Sequence, residues 1–199
     1  MSQMPQVSAG YADPVHDAQT AFRAVLDALS RPGRQVSVGY PVKAFTLSPA
    51  MAHVLLALTD NDTAVWWQQN NQAAIDWLRF HTGASQAATP TDAAFAVVLN
   101  VAELPPLTAF AAGSAEAPER SATLLVEVAS LDAGPAIEWR GPGILESQIV
   151  RIAGLPDDFW TQWQANHAAF PQGLDIIFIC EGAALGLPRT TRVRRLKEI

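Results

Sequence analysis

Phe170-Pro171-Gln172-Gly173-Leu174-Asp175-Ile176-Ile177-Phe178-Ile179-Cys180-Glu181-Gly182, continued by Ala183-Ala184-Leu185-Gly186-Leu187-Pro188-Arg189-Thr190-Thr191-Arg192-Val193, is the stretch that decides the fold. It predicts a buried apolar strand, a two-residue Glu181-Gly182 turn and a second short strand. An Arg-Thr-Thr-Arg segment leaves the end of that pair. Two hydroxyls between two guanidinium groups make Arg189, Thr190, Thr191 and Arg192 a candidate site for an anion or an acidic partner.

Upstream of this stretch, helices and strands mix without strict alternation. Asp13-Pro14 starts a helix, with Asp capping free N–H groups and Pro filling the first turn. Val15, Ala18, Phe22, Val25, Leu26 and Leu29 recur at spacings of three and four and predict one inward face, ended by Ser30-Arg31-Pro32-Gly33. Residues 34–38 alternate as a strand, and Ser48-Pro49 opens a helix with Met51, Val54, Leu55 and Leu58 inward. Ala64 to Trp67 is a short strand whose two Trp rings point to opposite, covered faces. Asn70 to Trp77 suits a helical turn or two, and Leu78 to His81 is expected to be extended. Residues 93–99 and 121–128 are the clearest central strands, and the stretch 104–118 carries little pattern. Residues 136–140 are expected to pair with 121–128 as a hairpin, and Pro156-Asp157 to start a helix carrying Phe159, Trp160 and Trp163. The expected class is α/β: a single domain with a mixed, partly antiparallel sheet flanked by helices, between a tail over 1–12 and a basic tail over 194–199.

Composition narrows the function. The chain has 199 residues, 49% hydrophobic and only 16% charged, which suits one domain with a sizeable core and a thin coat of charge, as at a subunit interface. Residues 1–188 hold eight Lys/Arg against eighteen Asp/Glu, and 189–199 hold five against one. An acidic body argues against nucleic acid, which needs a wide positive face, and leaves a local anion or acidic-protein contact. The single Cys180 has no partner within the chain and reads as a small buried hydrophobe, so a reducing, cytoplasmic setting is expected. No apolar run approaches the ~18 residues of a membrane span.

Few motifs carry chemistry. Asp60-Asn61-Asp62-Thr63 clusters oxygen ligands, but the position where a calcium loop needs Gly is Val65, so a polar turn held by Asx hydrogen bonds is the plainer reading. If residues 78–81 are extended, Arg79 and His81 share one side, where they could grip a phosphate or serve acid-base chemistry. The plainer reading pairs Arg79 with a nearby carboxylate and His81 with backbone. His16, His53 and His167 fall on expected helices. Arg140-Gly141-Pro142-Gly143-Ile144 lacks the spacing of either phosphate-binding glycine motif and reads as a hairpin exit. HExxH, paired CxxC and GxSxG are all missing, and the only lysines, Lys43 and Lys197, sit on no clear core element that would activate a Schiff base. No metal or cofactor is therefore expected.

Five blocks in one order resemble the PhnH family of the bacterial carbon-phosphorus lyase system. They are Phe22-Arg23 through Gly33, Leu58 through Thr63 with Val65-Trp66, Leu78 through Thr82, Gly113-Ser114 with Ala117-Pro118-Glu119, and Pro171 to Thr191. Gln172 departs from the family's Phe-Pro-Leu-Gly-Ile-Asp pattern, a change expected to alter what packs on that turn. The resemblance implies a fold similar to pyridoxal-phosphate-dependent transferases without the cofactor, a homodimer, and partners of the PhnG, PhnI and PhnJ types. It also implies a part in joining a phosphonate to the ribose of ATP with loss of adenine. It supplies no catalytic set, so a binding or scaffolding subunit is the first expectation. The rival is an independent phosphoryl- or ribosyl-transfer enzyme with a site around Arg79, His81, Asp60 and Asp62.

Overall fold

The computed structural model describes residues 9–39 and 47–196. In chain order the regular elements are α1 (Pro14–Ser30), β1 (Gln35–Ser37), α2 (Pro49–Leu58), β2 (Ala64–Trp67), α3 (Gln72–Thr82), β3 (Ser85–Gln86), β4 (Phe95–Val98) and β5 (Thr123–Glu127). They continue with β6 (Ile137–Arg140), β7 (Gln148–Val150), α4 (Phe159–Ala168), β8 (Asp175–Cys180), β9 (Ala183–Leu187) and β10 (Arg192–Arg195).

Seven strands form the main sheet in the order β1-β9-β8-β5-β4-β2-β3, and three form a smaller sheet in the order β10-β6-β7. In the main sheet β3, β2, β4, β5 and β8 run parallel, β9 runs antiparallel to β8, and β1 pairs antiparallel with β9 and so returns to the direction of the rest. The expected mixed α/β domain is therefore the observed one. The predicted hairpin at its centre is β8 and β9, with Cys180 opposite Ala183 across Glu181-Gly182.

Alternation of side chains divides the interior into two cores, one on each face of the main sheet. Leu124, Val126, Ile176 and Phe178 face α4 and the smaller sheet, where they meet Trp163, Phe159 and Trp139. Leu125, Ile177 and Ile179 face α1, α2 and α3, where they meet Ala21, Met51, Leu55 and Trp77. The order is three layers, with the sheet in the middle. Trp66 joins the first core and Trp67 the second, as the opposed rings of a strand require.

Four local expectations are corrected. Residues 78–81 are helical, because α3 continues to Thr82 and ends on Gly83 in the left-handed region, φ 79°. Ala74, Ile75, Trp77 and Leu78 supply the helical period that buries this face. Residues 137–140 do not pair with β5, whose two neighbours β4 and β8 are already in place; β6 pairs instead with β7 and β10. On α1 only Ala21, Val25 and Ala28 are buried, whereas Val15, Phe22 and Leu26 lie 70%, 51% and 56% exposed. The fourth helix begins at Phe159 rather than at Pro156-Asp157. The weakly patterned stretch 104–118 contains short 3-10 turns, Leu107–Ala109 and the start of Pro118–Arg120. Arg194 and Arg195, the first residues of the basic tail, lie within β10. Lys43, Lys197 and most of the tail over 1–12 fall outside the described residues.

Helix α1 lies so close to β9 that only glycine fits between them. A Cβ on Gly186 would come within 2.6 Å of the Ala28 carbonyl oxygen and 2.7 Å of its carbon, both backbone atoms. Gly186→Ala is expected to destabilise the protein by about 1–3 kcal/mol through overpacking. Urea unfolding measures this, and a loss within experimental error of zero would show that the helix has room to move.

Candidate functional site

The Arg189-to-Arg192 segment begins where β9 ends, beside the start of β8, and Asp175 at the start of β8 faces it. The Asp175 carboxylate accepts the Arg189 backbone N–H at 2.7 Å and forms a two-oxygen pair with the guanidinium through Nε and Nη2. Nη1 donates to the carbonyls of Pro118 at 2.9 Å and Pro171 at 3.3 Å, and Nη2 also donates to the Ser121 hydroxyl. A guanidinium has five N–H donors, and here all five meet protein acceptors. The Arg189 carbonyl is held in turn by His167 Nδ1 at 2.9 Å. Arg189, only 13% exposed, is therefore a knot that ties three separate segments to β8. It has no donor left for a ligand.

The same knot gathers two of the sequence blocks. Gly113 and Ala112 receive N–H groups from the Gln172 side chain and the Gly173 backbone, at 3.2 and 2.8 Å. Gln172, where the family pattern has Leu, thus fastens its turn to the 112–118 loop. Gly113, at φ 73°, lies where an added Cβ would meet the Pro118 carbonyl at 2.9 Å.

The structure does not bring the four predicted residues into one site. Thr190 is half-buried, and its carbonyl lies against Gly141. Thr191 is fully buried; its carbonyl accepts Trp163 Nε1 at 2.9 Å, and its hydroxyl has no hydrogen-bond partner among the described residues. Arg192 alone is exposed, on the outer face of β10. It joins two residues that sequence reasoning assigned elsewhere, Arg140 directly opposite on β6 and Arg194 two positions on. Glu138 lies between them, 2.9 Å from Arg140 Nη2 and 2.8 Å from Arg194 Nη2. The Arg140 hydrogen bond, with support from Arg194, holds the Glu138 carboxyl below the usual carboxylate range despite its partial desolvation. The alternation Arg192-Val193-Arg194 is the sequence signal for this face, but its register against β6 is not readable from either strand alone.

The rival site is dispersed as well. Arg79 and His81, two positions apart on α3, are separated by roughly 200° around the helix. Arg79 pairs with Asp76 at 2.5 Å. His81 packs edge-on against Trp77 and Phe80, with Gly10 passing beside its ring. Asp60 closes its own turn by accepting from the Asp62 N–H and the Thr63 hydroxyl, the Asx turn expected of that loop.

The opposite end of the main sheet gathers residues that no motif marked. Glu127 ends β5 beside Cys180 at the end of β8. Burial, with the Glu181 charge, pushes the Glu127 carboxyl up; the Ser48 hydroxyl at the start of α2 opposes that shift. Burial and the same acidic neighbours also raise the Cys180 thiol, which lowers its thiolate content and reactivity. Among the described residues no group of three or more His, Cys, Asp and Glu side chains could hold a metal ion, and no helix is long and apolar enough to cross a membrane.

Comparison with known proteins adds what geometry alone does not supply. The family model for PhnH, described as a bacterial phosphonate metabolism protein, matches residues 9–194. The chain is 39% identical over 201 residues to alpha-D-ribose 1-methylphosphonate 5-triphosphate synthase subunit PhnH of Rhizobium meliloti, an alignment covering 98% of this chain and all of that protein. It is 31% identical over 175 residues to HtxG of Stutzerimonas stutzeri, named as a C-P lyase subunit protein, with 88% and 85% of the two chains covered.

The knot makes a sharp prediction about Arg189. Arg189→Ala leaves the Asp175 carboxylate with only the backbone N–H of residue 189 and the Pro118 and Pro171 carbonyls without the guanidinium donors, and is expected to cost about 3–5 kcal/mol in urea unfolding, the scale of a broken buried pair. Arg189→Lys keeps the charge but lacks the fork, so it recovers only part of that loss. Wild-type stability in the Ala variant would refute the structural role.

Proposed function

The chain belongs to the PhnH family of bacterial phosphonate metabolism proteins, and from that membership we propose that it serves organophosphonate catabolism as a core-complex subunit of the carbon-phosphorus lyase system. The observation that carries this reading is the match over nearly the whole chain to a subunit named for the synthesis of alpha-D-ribose 1-methylphosphonate 5-triphosphate. Its contribution is to that synthesis, from a phosphonate and ATP with release of adenine. The expected partners are PhnG-, PhnI- and PhnJ-like subunits, in the cytoplasm.

Within the complex its role is binding and scaffolding. The strongest polar groups favour this over an active site of its own, because they are engaged in holding the fold. Arg189 directs every guanidinium donor inward. Gln68 closes the end of β2 with four bonds, accepting from the Leu99 and Asn100 N–H groups and donating to the Asn100 and Glu103 carbonyls. Asp60 is occupied by its turn, and Arg79 by Asp76. The likeness to pyridoxal-phosphate-dependent transferases without the cofactor is part of the same proposal, supported by the mixed sheet between helical layers.

Incubation with ATP and a phosphonate tests the role. The isolated protein is expected to release no adenine, while the complex releases it only when this subunit is present. Release by the protein alone would overturn the scaffolding role and revive a transfer site of its own.

Isolation should also expose how the subunit associates. Val15, Phe22 and Leu26 follow one another at spacings of seven and four, so they form one apolar stripe along the outer side of α1. We assign this stripe to a homodimer contact. Phe22→Glu is expected to convert the dimer to a monomer in sedimentation velocity while the chain keeps the circular dichroism of the folded protein, since the side chain is half exposed. A dimer that survives the change would move the contact elsewhere.

A further inference from the structure

The outer face of the smaller sheet carries an imbalance of charge that the fold does not resolve. β6 and β10 pair in a register that sets Arg192 directly opposite Arg140 and Arg194 directly opposite Glu138. Cross-strand partners of like charge repel, whereas opposite charges attract. Glu138 is shared by Arg140 and Arg194, and Glu146 in the β6–β7 loop also attracts Arg140, so three guanidinium groups outnumber two carboxylates and the surplus is positive. Arg140 and Arg194 remain 60% and 69% exposed in their side chains, while Glu138 is 9% exposed beneath them. On the third strand Ile149, opposite Glu138 and 48% exposed, adds an apolar side chain to the same face.

Shape selects among anionic partners. A groove of about 320 Å³ runs along this face, lined by Glu138, Arg140, Arg192, Val193 and Arg194. All five belong to β6 and β10, so the groove has a floor and no facing wall. Small ligands are held in concave sites that cover most of their surface, whereas an open charged face suits a protein surface. The acidic body of the chain disfavours a nucleic acid, whose phosphates need a wide positive field.

We propose that the outer face of the smaller sheet is a docking surface for an acidic segment of a partner subunit, whose carboxylates enter between Arg140 and Arg192 and beside Arg194. This inference rests on the reading of the chain as a complex subunit and adds the surface and the chemistry of its partner. Carboxylates are matched by the planar guanidinium forks, and Glu138 fixes the orientation of two of them in advance. Ile149 gives the partner an apolar neighbour at the rim.

The test immobilises the assembled PhnG-, PhnI- and PhnJ-like subunits from the same source and measures binding of the full-length protein at about 50 mM and about 500 mM salt, since screening separates charge from contact. The expected result is that Arg140→Ala/Arg192→Ala lowers the association rate about tenfold or more at low salt and approaches wild type at high salt. Arg23→Ala/Arg120→Ala, which removes the same net charge from exposed positions off the smaller sheet, should bind as wild type. Equal binding and equal salt dependence in the wild type and the Arg140/Arg192 variant would overturn this inference alone. Failure of the wild type to bind would overturn the complex reading with it. Inorganic triphosphate, titrated against the isolated protein, supplies the last arm: saturable binding abolished by the Arg140/Arg192 change would assign the face to a small anion instead. All substituted side chains are exposed, so melting temperatures should match and exclude unfolding as the cause.

Discussion

The pair between Arg189 and Asp175 is the constraint on which the rest of the structure depends. Asp175 starts β8, which lies beside β5, the central strand of the main sheet, and Ser121 lies two residues before β5. Pro118 and Pro171 lie on the segments that lead into β5 and β8 from their N-terminal sides. One guanidinium joins all four positions with donors fixed in a plane, so it sets where the strands begin as well as how they lie. Because the backbone N–H of Arg189 also binds Asp175, the chain is held at the point where it leaves β9 and turns toward β10. A pair this buried brings little net stability over an apolar substitute, but removing one partner strands a charge. Its main effect is to specify one arrangement.

What could be read from the sequence follows from how local each signal is. The β8-β9 hairpin was legible because both strands and their turn are contiguous, and Trp66-Trp67 because strand alternation needs no distant partner. The Asp60 turn was legible for the same reason. Leu78 to His81 misled because four residues alternate as well on a helix as on a strand, and the deciding evidence of period lay just upstream in Ala74, Ile75 and Trp77. Phe22 and Leu26 belong to the apolar pattern of α1, yet pattern cannot tell an inner face from an exposed one.

The second sheet was invisible for a different reason. β6 finds its partners over 50 residues downstream at β10 and across a loop at β7, so neither short strand announces the pairing. Arg189 was conspicuous as a cation, but its acceptors lie 14, 18, 68 and 71 positions away in sequence. Charge type is local information and charge burial is not. The candidate site was therefore legible as a cationic segment and illegible as to which arginine faces solvent.

Backbone geometry divides that segment between two tasks. Before β10 the chain is still turning, and Arg189 folds back onto the start of β8. Once the strand begins, the pleat assigns alternate residues to alternate faces: Thr191 and Val193 enter the core, while Arg192 and Arg194 emerge. A slip of β10 by one residue against β6 would bury Arg192 and Arg194 and expose Val193, a change the hydrophobic core forbids. The exposure of the cationic face is thus enforced from below, by Trp139 and Val193, rather than by any attraction among the arginines. Stabilising the core keeps a mutually repelling set of charges in place, and a surface held that way is ready for an anionic partner before the partner arrives.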